Sequence, residues 1–280
     1  MATIGIVGLG LIGGSLAKAV KSKTLHDVYG FDIDQETMTF ARISGAIDKA
    51  LDLNNLSDCD LLFIAIAPHE AIKWVHDNAA KINHKTILID LCGVKRTVFN
   101  AMSAAAAENN FTYIGGHPMA GTEHQGFVNS MVDMFVGTSM ILTPPENFND
   151  IKTLENLKSF FIDIGFANIT FTNPAEHDRI IAYTSQLAHV VSSSYVKSPD
   201  ALNRRGFSAG SFKDMTRVAR LDENVWTELF LDNKDYLINQ VEILIGHMNE
   251  YLDALKANDA ERLKALLRDG REKKMLAGGN

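Results

Sequence analysis

The stretch TIGIVGLGLIGGSLA, from Thr3 to Ala17, contains a strand, a glycine turn and the start of a helix within 15 residues. Its β-branched residues suit a buried parallel strand, and three glycines follow in the spacing G-x-G-x-x-G. In such a loop the glycines allow a tight turn, close approach of a pyrophosphate and close packing of helix on strand, with the phosphates at the helix N-terminus. The stretch predicts a dinucleotide site whose loop residues are Gly8, Gly10, Leu11, Ile12 and Gly13.

A carboxylate at the end of the second predicted strand indicates which dinucleotide binds. Asp32 closes the segment VYGFD and lies 24 residues after Gly8, near the position of the acid that takes the ribose hydroxyls in such sites. Asp34 adds a second negative charge nearby. A carboxylate repels a 2′-phosphate, so the sequence predicts NAD rather than NADP.

Composition narrows the class of protein. The chain has 280 residues, 46% of them hydrophobic, which is enough for two domains. Its net charge of −7 gives no basic footprint for nucleic acid, and Cys59 and Cys92 are too few for a disulfide framework. The sequence shows neither a signal peptide nor an apolar run of membrane-spanning length. We expect a cytoplasmic enzyme that acts on a small molecule and binds neither nucleic acid nor membranes.

Strands and helices alternate in the first half of the chain and helices fill the second. This order predicts a Rossmann-type doubly wound parallel sheet in residues 1–173, followed by an all-α domain in residues 174–280. An apolar stripe between Leu237 and Leu255 has helical spacing and favours a core or a dimer interface, so we expect a homodimer. Asn258 and Glu261 resemble a capping box for a last helix that ends near Gly270. Beyond the first two, the predicted strands are 61–67, 86–90, 113–115, 139–142 and 168–171.

The segment GGHPMAGTE, residues 115–123, directly follows the fifth predicted strand. Ligands of doubly wound sheets bind beyond the carboxyl ends of the strands, and an imidazole suits the base that removes a hydroxyl proton as hydride leaves. His117 is therefore the candidate base. The alternative is a histidine that only satisfies loop carbonyls.

Four segments together resemble the prephenate and arogenate dehydrogenases of tyrosine biosynthesis. They are the glycine loop, GGHPMAGTE, SQLAH ending at His189, and FKDMTR ending at Arg217 with Trp226 beyond it. The resemblance covers nearly the whole chain and implies NAD-dependent oxidative decarboxylation of a cyclohexadienol. There is no room for a mutase segment before the first strand or a regulatory domain after the last helix, so we expect the monofunctional form.

By this resemblance His117 accepts the ring-hydroxyl proton and Arg217 anchors the ring carboxylate, which a bidentate guanidinium suits. The resemblance also places Thr122, Ser185 and His189 near the substrate. It gives supporting or gating roles to Glu123, Asp214 and Trp226.

Other interpretations of these residues stay open. Arg217 could form a surface ion pair with Asp214, and His189 could be a polar residue at a helix interface. We expect His124 and His177 to be loop and helix-cap residues. No histidine, cysteine or acidic cluster has metal-ligand spacing, so no metal is predicted.

One position departs from the family pattern: Gly93 stands two residues before Lys95, where the family usually has a serine. A hydroxyl that would reach the substrate or the nicotinamide is therefore missing. Prephenate is the expected substrate and arogenate the main alternative. A dehydrogenase of the β-hydroxyacid type and a non-catalytic NAD-binding protein are the less favoured alternatives.

Overall fold

A computed structural model describes residues 1–122, 124–207 and 210–278 of the chain. Its strands form a single sheet with the order β3-β2-β1-β4-β5-β6-β7-β8. In chain order they are β1 (Thr3–Val7), β2 (Asp27–Phe31), β3 (Lys49–Ala50), β4 (Leu61–Ile64), β5 (Ile87–Asp90), β6 (Thr112–Pro118), β7 (Ser139–Thr143) and β8 (Asn168–Phe171).

The sheet has the doubly wound topology that the alternating pattern predicts. The order of the strands reverses at β1. This strand pairs with β2 on one side and with β4 on the other, so that Val7 lies beside both Phe31 and Ile64. This switch point is where such sheets bind ligands. The prediction of a parallel sheet is wrong for one pair, because β7 runs antiparallel to β6.

Helices cover both faces of the sheet and continue alone after the last strand. Five of the helices are preceded by an N-cap residue whose side-chain oxygen accepts hydrogen bonds from backbone N–H groups of the first turn. These residues are Asp34, Asp150, Asn173, Asp222 and Asp259. The helices are α1 (Leu11–Lys23), α2 (Gln35–Ile43), α3 (Pro68–Asn78), α4 (Arg96–Asn109), α5 (Ile151–Asp163), α6 (Pro174–Ile181), α7 (Leu187–Tyr195), α8 (Gly210–Thr216), α9 (Glu223–Asp232), α10 (Lys234–Lys256) and α11 (Ala260–Ala277).

Two details of the helical part differ from the expectations. The composition of residues 178–194 predicts one continuous helix, but a wider π-helical turn, Ala182–Gln186, divides it. The last helix is capped by Asp259 rather than by Asn258, which adopts a left-handed φ of 52°, and it continues to Ala277.

Two apolar clusters, one on each face of the sheet, form the core. Helices α1, α2 and α5 pack on the face that carries Ile4, Ile6 and Phe63. Helices α3 and α4 pack on the other face, against Leu62 and Ile64. Alternate strand residues thus point into different clusters, as a sheet buried on both sides requires. Among the described residues no helix is long and apolar enough to cross a membrane.

Candidate active site

The loop between β1 and α1 has the geometry that a dinucleotide needs. Gly8 adopts a φ of +87°, and a Cβ there would lie 2.6 Å from the carbonyl oxygen of Ala65. A Cβ on Gly13 would lie 1.8 Å from the carbonyl oxygen of Gly8, so only glycine lets helix and strand approach this closely. Gly10 begins α1 without a side-chain cap, and a Cβ there would meet nothing within 4 Å. The open space over uncapped N–H groups fits a pyrophosphate.

Asp32 lies at the end of β2, directly beside this loop. One carboxylate oxygen accepts from Leu9 N at 2.8 Å and the other from Asp34 N at 2.9 Å. A cavity of about 320 Å³ opens between Asp32 and helix α3, and its wall includes Glu70 and Lys73. Asp34 caps α2 instead of facing this cavity, so its charge adds less to cofactor choice than the sequence indicates.

A second cavity, of about 700 Å³, lies between the end of β6 and the helices that follow the sheet. It brings together side chains that are far apart in sequence. Asp214 is exposed and does not line it, and Glu123 lies outside the described residues. The candidate residues in its wall are His117, Thr122, Ser185, His189, Arg217 and Trp226.

His117 is held from behind by a second histidine. Its Nδ1 lies 2.9 Å from Nε2 of His177, whose own Nδ1 lies 2.8 Å from Oδ1 of Asp178. The side chains of His177 and Asp178 are fully buried. The expectation that His177 is a helix-cap residue is wrong, because Asn173 caps α6 and His177 contacts His117.

The Asp178 carboxylate is fixed by two adjacent residues at the start of α4. Its Oδ1 accepts from Lys95 N at 2.7 Å, and its Oδ2 accepts from Arg96 N at 2.9 Å and from Arg96 Nε at 3.2 Å. Arg96 also donates to Asp235 and to Asn233 Oδ1. The carboxylate is therefore supplied with donors on both oxygens.

Burial determines the charge of these groups. It holds the pKa of His117 well below its ordinary value, and the neighbouring His177 and Lys95 act in the same direction. Burial also lowers the pKa of His177, against the opposing effect of Asp178. For Asp178 burial raises the pKa, but hydrogen bonds from His177, Arg96 and Lys95 outweigh it and the net shift is downward. Two neutral imidazoles thus lie in line with an ionised carboxylate.

A buried ion pair lies behind His117 on the sheet side. Lys95 Nζ donates to Asp90, and both side chains are fully buried. Asp90 also accepts from Tyr113 Oη at 2.7 Å and from Cys92 N at 3.0 Å. No sequence pattern predicts this cluster, because an acid at a strand end resembles many others until its partners are known.

His189 and Trp226 form one wall of the cavity. Their ring centroids are 3.6 Å apart, and His189 Nδ1 lies 2.9 Å from the carbonyl oxygen of Val218. That carbonyl can only accept, so Nδ1 carries the hydrogen and Nε2 is left as an acceptor while the ring is neutral. Burial lowers the pKa of His189, and the nearby Arg217 adds to this effect. Ser185 lies in the π-helical turn, a geometry common at functional sites.

Arg217 begins a short 3-10 turn, Arg217–Ala219, and faces the same cavity. Among the ion pairs of residues 1–122, 124–207 and 210–278, none joins Arg217 to Asp214. The guanidinium is exposed and lies on the cavity wall. The surface ion-pair interpretation is thus not supported, and an anion in the cavity is the partner that fits its charge.

One group of potential metal ligands joins the two halves of the chain. The ligand atoms of His69, Glu228 and Asp232 lie within 4.8 Å of one another. His69 Nε2 lies 3.4 Å from Asp232 Oδ1, and His69 N donates to Glu228 at 3.1 Å. A hydrogen-bonded contact between α3 and α9 accounts for these distances.

Family comparisons agree with this geometry. The domain family described as "Prephenate dehydrogenase, nucleotide-binding domain" matches residues 16–170, and "Prephenate dehydrogenase, dimerization domain" matches residues 173–269. The prephenate dehydrogenase of Bacillus subtilis strain 168 is 28% identical over 270 residues, which cover 93% of this chain and 72% of that protein.

Two solved structures have the same fold over nearly the whole chain. The prephenate dehydrogenase of A. aeolicus, solved with hydroxyphenyl propionate and NAD+, is 26% identical with a TM-score of 0.83, and the match covers 99% of each chain. The Synechocystis arogenate dehydrogenase is 25% identical with a TM-score of 0.82, and the match covers 99% of this chain and all of that one. These matches confirm the predicted α/β fold class, the NAD cofactor and the dehydrogenase activity. This chain therefore belongs to the prephenate dehydrogenase family.

Proposed function

We propose that the chain oxidises and decarboxylates prephenate to 4-hydroxyphenylpyruvate, a step of tyrosine biosynthesis. The observation that carries this proposal is the 700 Å³ cavity, whose wall holds a neutral histidine at the sheet edge and the guanidinium of Arg217, which forms no ion pair with the residues that the structure describes. The β-hydroxyacid type of dehydrogenase and the non-catalytic NAD-binding protein fit less well, because neither requires both His117 and Arg217.

His117 and Arg217 act on different groups of the substrate. When bound, NAD+ supplies the hydride acceptor. His117 Nε2 accepts the proton of the ring hydroxyl as the carbon that carries it gives up hydride. Arg217 holds the ring carboxylate until the bond to the ring carbon breaks, its electron pair enters the ring and carbon dioxide leaves. The ring becomes aromatic. The hydride, the hydroxyl proton and the electron pair of the broken carbon–carbon bond are thus all accounted for.

The charges in the described part of the cavity wall favour prephenate over arogenate. Both substrates carry two carboxylates, but arogenate adds an ammonium group. The described wall has two guanidinium groups, Arg217 and Arg220, and one carboxylate, Asp222. Asp222 already accepts from Asn224 N, Val225 N and Gln125 Nε2. An ammonium group would therefore find little compensation in this wall, whereas a keto acid needs none.

Steady-state kinetics with both substrates and both cofactors test the proposal. We expect kcat/KM to be higher for prephenate than for arogenate. We also expect NAD+ to be preferred over NADP+ by at least about tenfold, because Asp32 repels a 2′-phosphate. Higher efficiency with arogenate would establish the alternative substrate. Failure of a folded enzyme to turn over either substrate would contradict the proposal.

Replacing Gly93 with serine tests the departure from the family pattern. Gly93 does not adopt a left-handed φ, and an added Cβ would lie 3.5 Å from Leu229 and 4.0 Å from His117 Nε2. Because the site has room, we expect unchanged stability and a kcat that is equal to wild type or up to about tenfold higher, the value of one neutral hydrogen bond. A fall of kcat in the folded variant would contradict this expectation.

We further propose a homodimer that works in the cytoplasm, with the domain boundary at residues 173 and 174. The match to a dimerization domain supports the homodimer. So does an exposed apolar face of α10 with helical spacing, which comprises Ile238, Ile245, Met248, Leu252 and Leu255. Thr122, Ser185 and His189 remain the proposed contacts to the substrate, and Trp226 the group that orients His189.

A further inference from the structure

We propose that His177, oriented by Asp178, is a positioning residue that fixes His117 in the tautomer with hydrogen on Nδ1 and a bare Nε2 toward the cavity. This inference depends on the proposed function only for the origin of the proton that His117 Nε2 accepts. The tautomer of His117 follows from the hydrogen-bond geometry alone.

The hydrogen-bond role of Asp178 is fixed by its neighbours. Lys95 N and Arg96 N are backbone donors and can only donate to it. The fully buried carboxylate also forms an ion pair with the Arg96 guanidinium, which favours the ionised state. An ionised carboxylate has no hydrogen to give, so His177 Nδ1 must carry the hydrogen of their 2.8 Å contact.

The charge of His177 determines whether its Nε2 donates or accepts. The charged groups around its ring are Asp178, Lys95 and Asp90, of which Lys95 opposes a second positive charge. Burial keeps the ring neutral, and a neutral imidazole with hydrogen on Nδ1 has an acceptor at Nε2. In the 2.9 Å contact between the two rings, His117 Nδ1 is therefore the donor.

The hydrogen on His117 Nδ1 determines which ring nitrogen accepts in the cavity. With hydrogen on Nδ1, its Nε2 holds the lone pair, and this atom faces the position of Gly93 in the cavity wall at 4.0 Å from a Cβ there. A histidine without such a partner exchanges between its two tautomers, and one of them presents a donor to the substrate hydroxyl. When Nε2 takes a proton, the new positive charge also lies in line with the Asp178 carboxylate. This arrangement resembles the acid that orients the histidine of hydrolase triads.

Two substitutions at His177 separate positioning from packing. Glutamine can accept from His117 Nδ1 and donate to Asp178, whereas leucine of similar bulk can do neither. We expect His177→Leu to lower kcat about 100-fold with KM for both ligands within about threefold, the behaviour of a mispositioned base. His177→Gln should restore kcat to within about tenfold of wild type, since it keeps both hydrogen bonds. His26→Gln, a half-buried histidine far from the cavity that accepts from Ala2 N, is the matched control.

Nitrogen-15 NMR of histidine-labelled protein reads the tautomer without any substrate. We expect His117 to show hydrogen on Nδ1 only in the wild type and in His177→Gln, and a mixture of tautomers in His177→Leu. An unchanged His117 spectrum in folded His177→Leu, or equal losses of kcat in both variants, would overturn the inference. If His177→Leu does not fold, the spectrum and kcat of His177→Gln decide alone. A wild type that turns over neither substrate but shows the expected tautomer contradicts only the proposed function.

Discussion

Replacing His117 with asparagine is expected to lower kcat by about 10²- to 10⁴-fold, the usual contribution of a positioned general base. Asparagine keeps a polar side chain beside His177 but has no group that takes a proton at neutral pH. Affinity for NAD+ should be nearly unchanged, because the glycine loop and His117 line different cavities. Stopped-flow and steady-state kinetics with prephenate, together with NAD+ titration, measure both quantities.

The pH profile provides a second test of the same residue. His117 acts as a base only when neutral, and burial holds its pKa well below the ordinary 6.5. Activity is lost as pH falls through the folded pKa, so the acid limb of kcat/KM should lie below pH 6.5 and disappear in His117→Asn. The exposed His84→Asn serves as the control and should leave the profile intact. Near-normal turnover by His117→Asn would remove His117 from the mechanism.

Replacing Arg217 with alanine is expected to raise KM for the substrate about 30-fold with a smaller effect on kcat, a loss of about 2 kcal/mol. A carboxylate held in the ground state and in the transition state alike contributes uniform binding, which appears in KM. The expected loss is small for a charge pair, because the guanidinium is exposed and water screens its interaction with the carboxylate.

Two further substitutions test whether the effect on KM is specific to the guanidinium of Arg217. Arg217→Lys keeps the charge but loses bidentate geometry, so its KM should lie between those of wild type and Arg217→Ala. Arg179→Ala removes an exposed arginine that pairs with Glu176 outside the cavity and should leave KM unchanged. An unchanged KM in Arg217→Ala would mean that the substrate carboxylate binds elsewhere.

The fold and the cofactor loop were predictable from the sequence because their causes are local. The glycines from 8 to 13 and the acid at 32 occupy one strand, turn, helix and strand unit, where spacing in sequence fixes spacing in space. The antiparallel direction of β7 is a different matter, because strand direction depends on where the chain returns and leaves no mark in alternation. The two-residue strand β3 is too short to produce a periodic pattern.

In the candidate site, His117 was identifiable but its support was not. His117 stands at a strand end within a distinctive loop, whereas its partner His177 is 60 residues further along the chain. No spacing rule connects two such positions. The one available sign was the adjacent pair His177 and Asp178 in the middle of helix α6, which the structure shows to be buried.

The line from His117 through His177 to Asp178 crosses the proposed boundary at residues 173 and 174. The base belongs to strand β6 and its orienting pair belongs to helix α6 of the proposed second domain. The backbone donors to Asp178, Lys95 and Arg96, lie at the start of α4 in the first half of the chain. Neither half of the chain therefore contains a correctly oriented base on its own. Exchange of the helical half between relatives, in evolution or in a laboratory chimera, would preserve catalysis only where the incoming half brings a histidine and an acid in register with those donors.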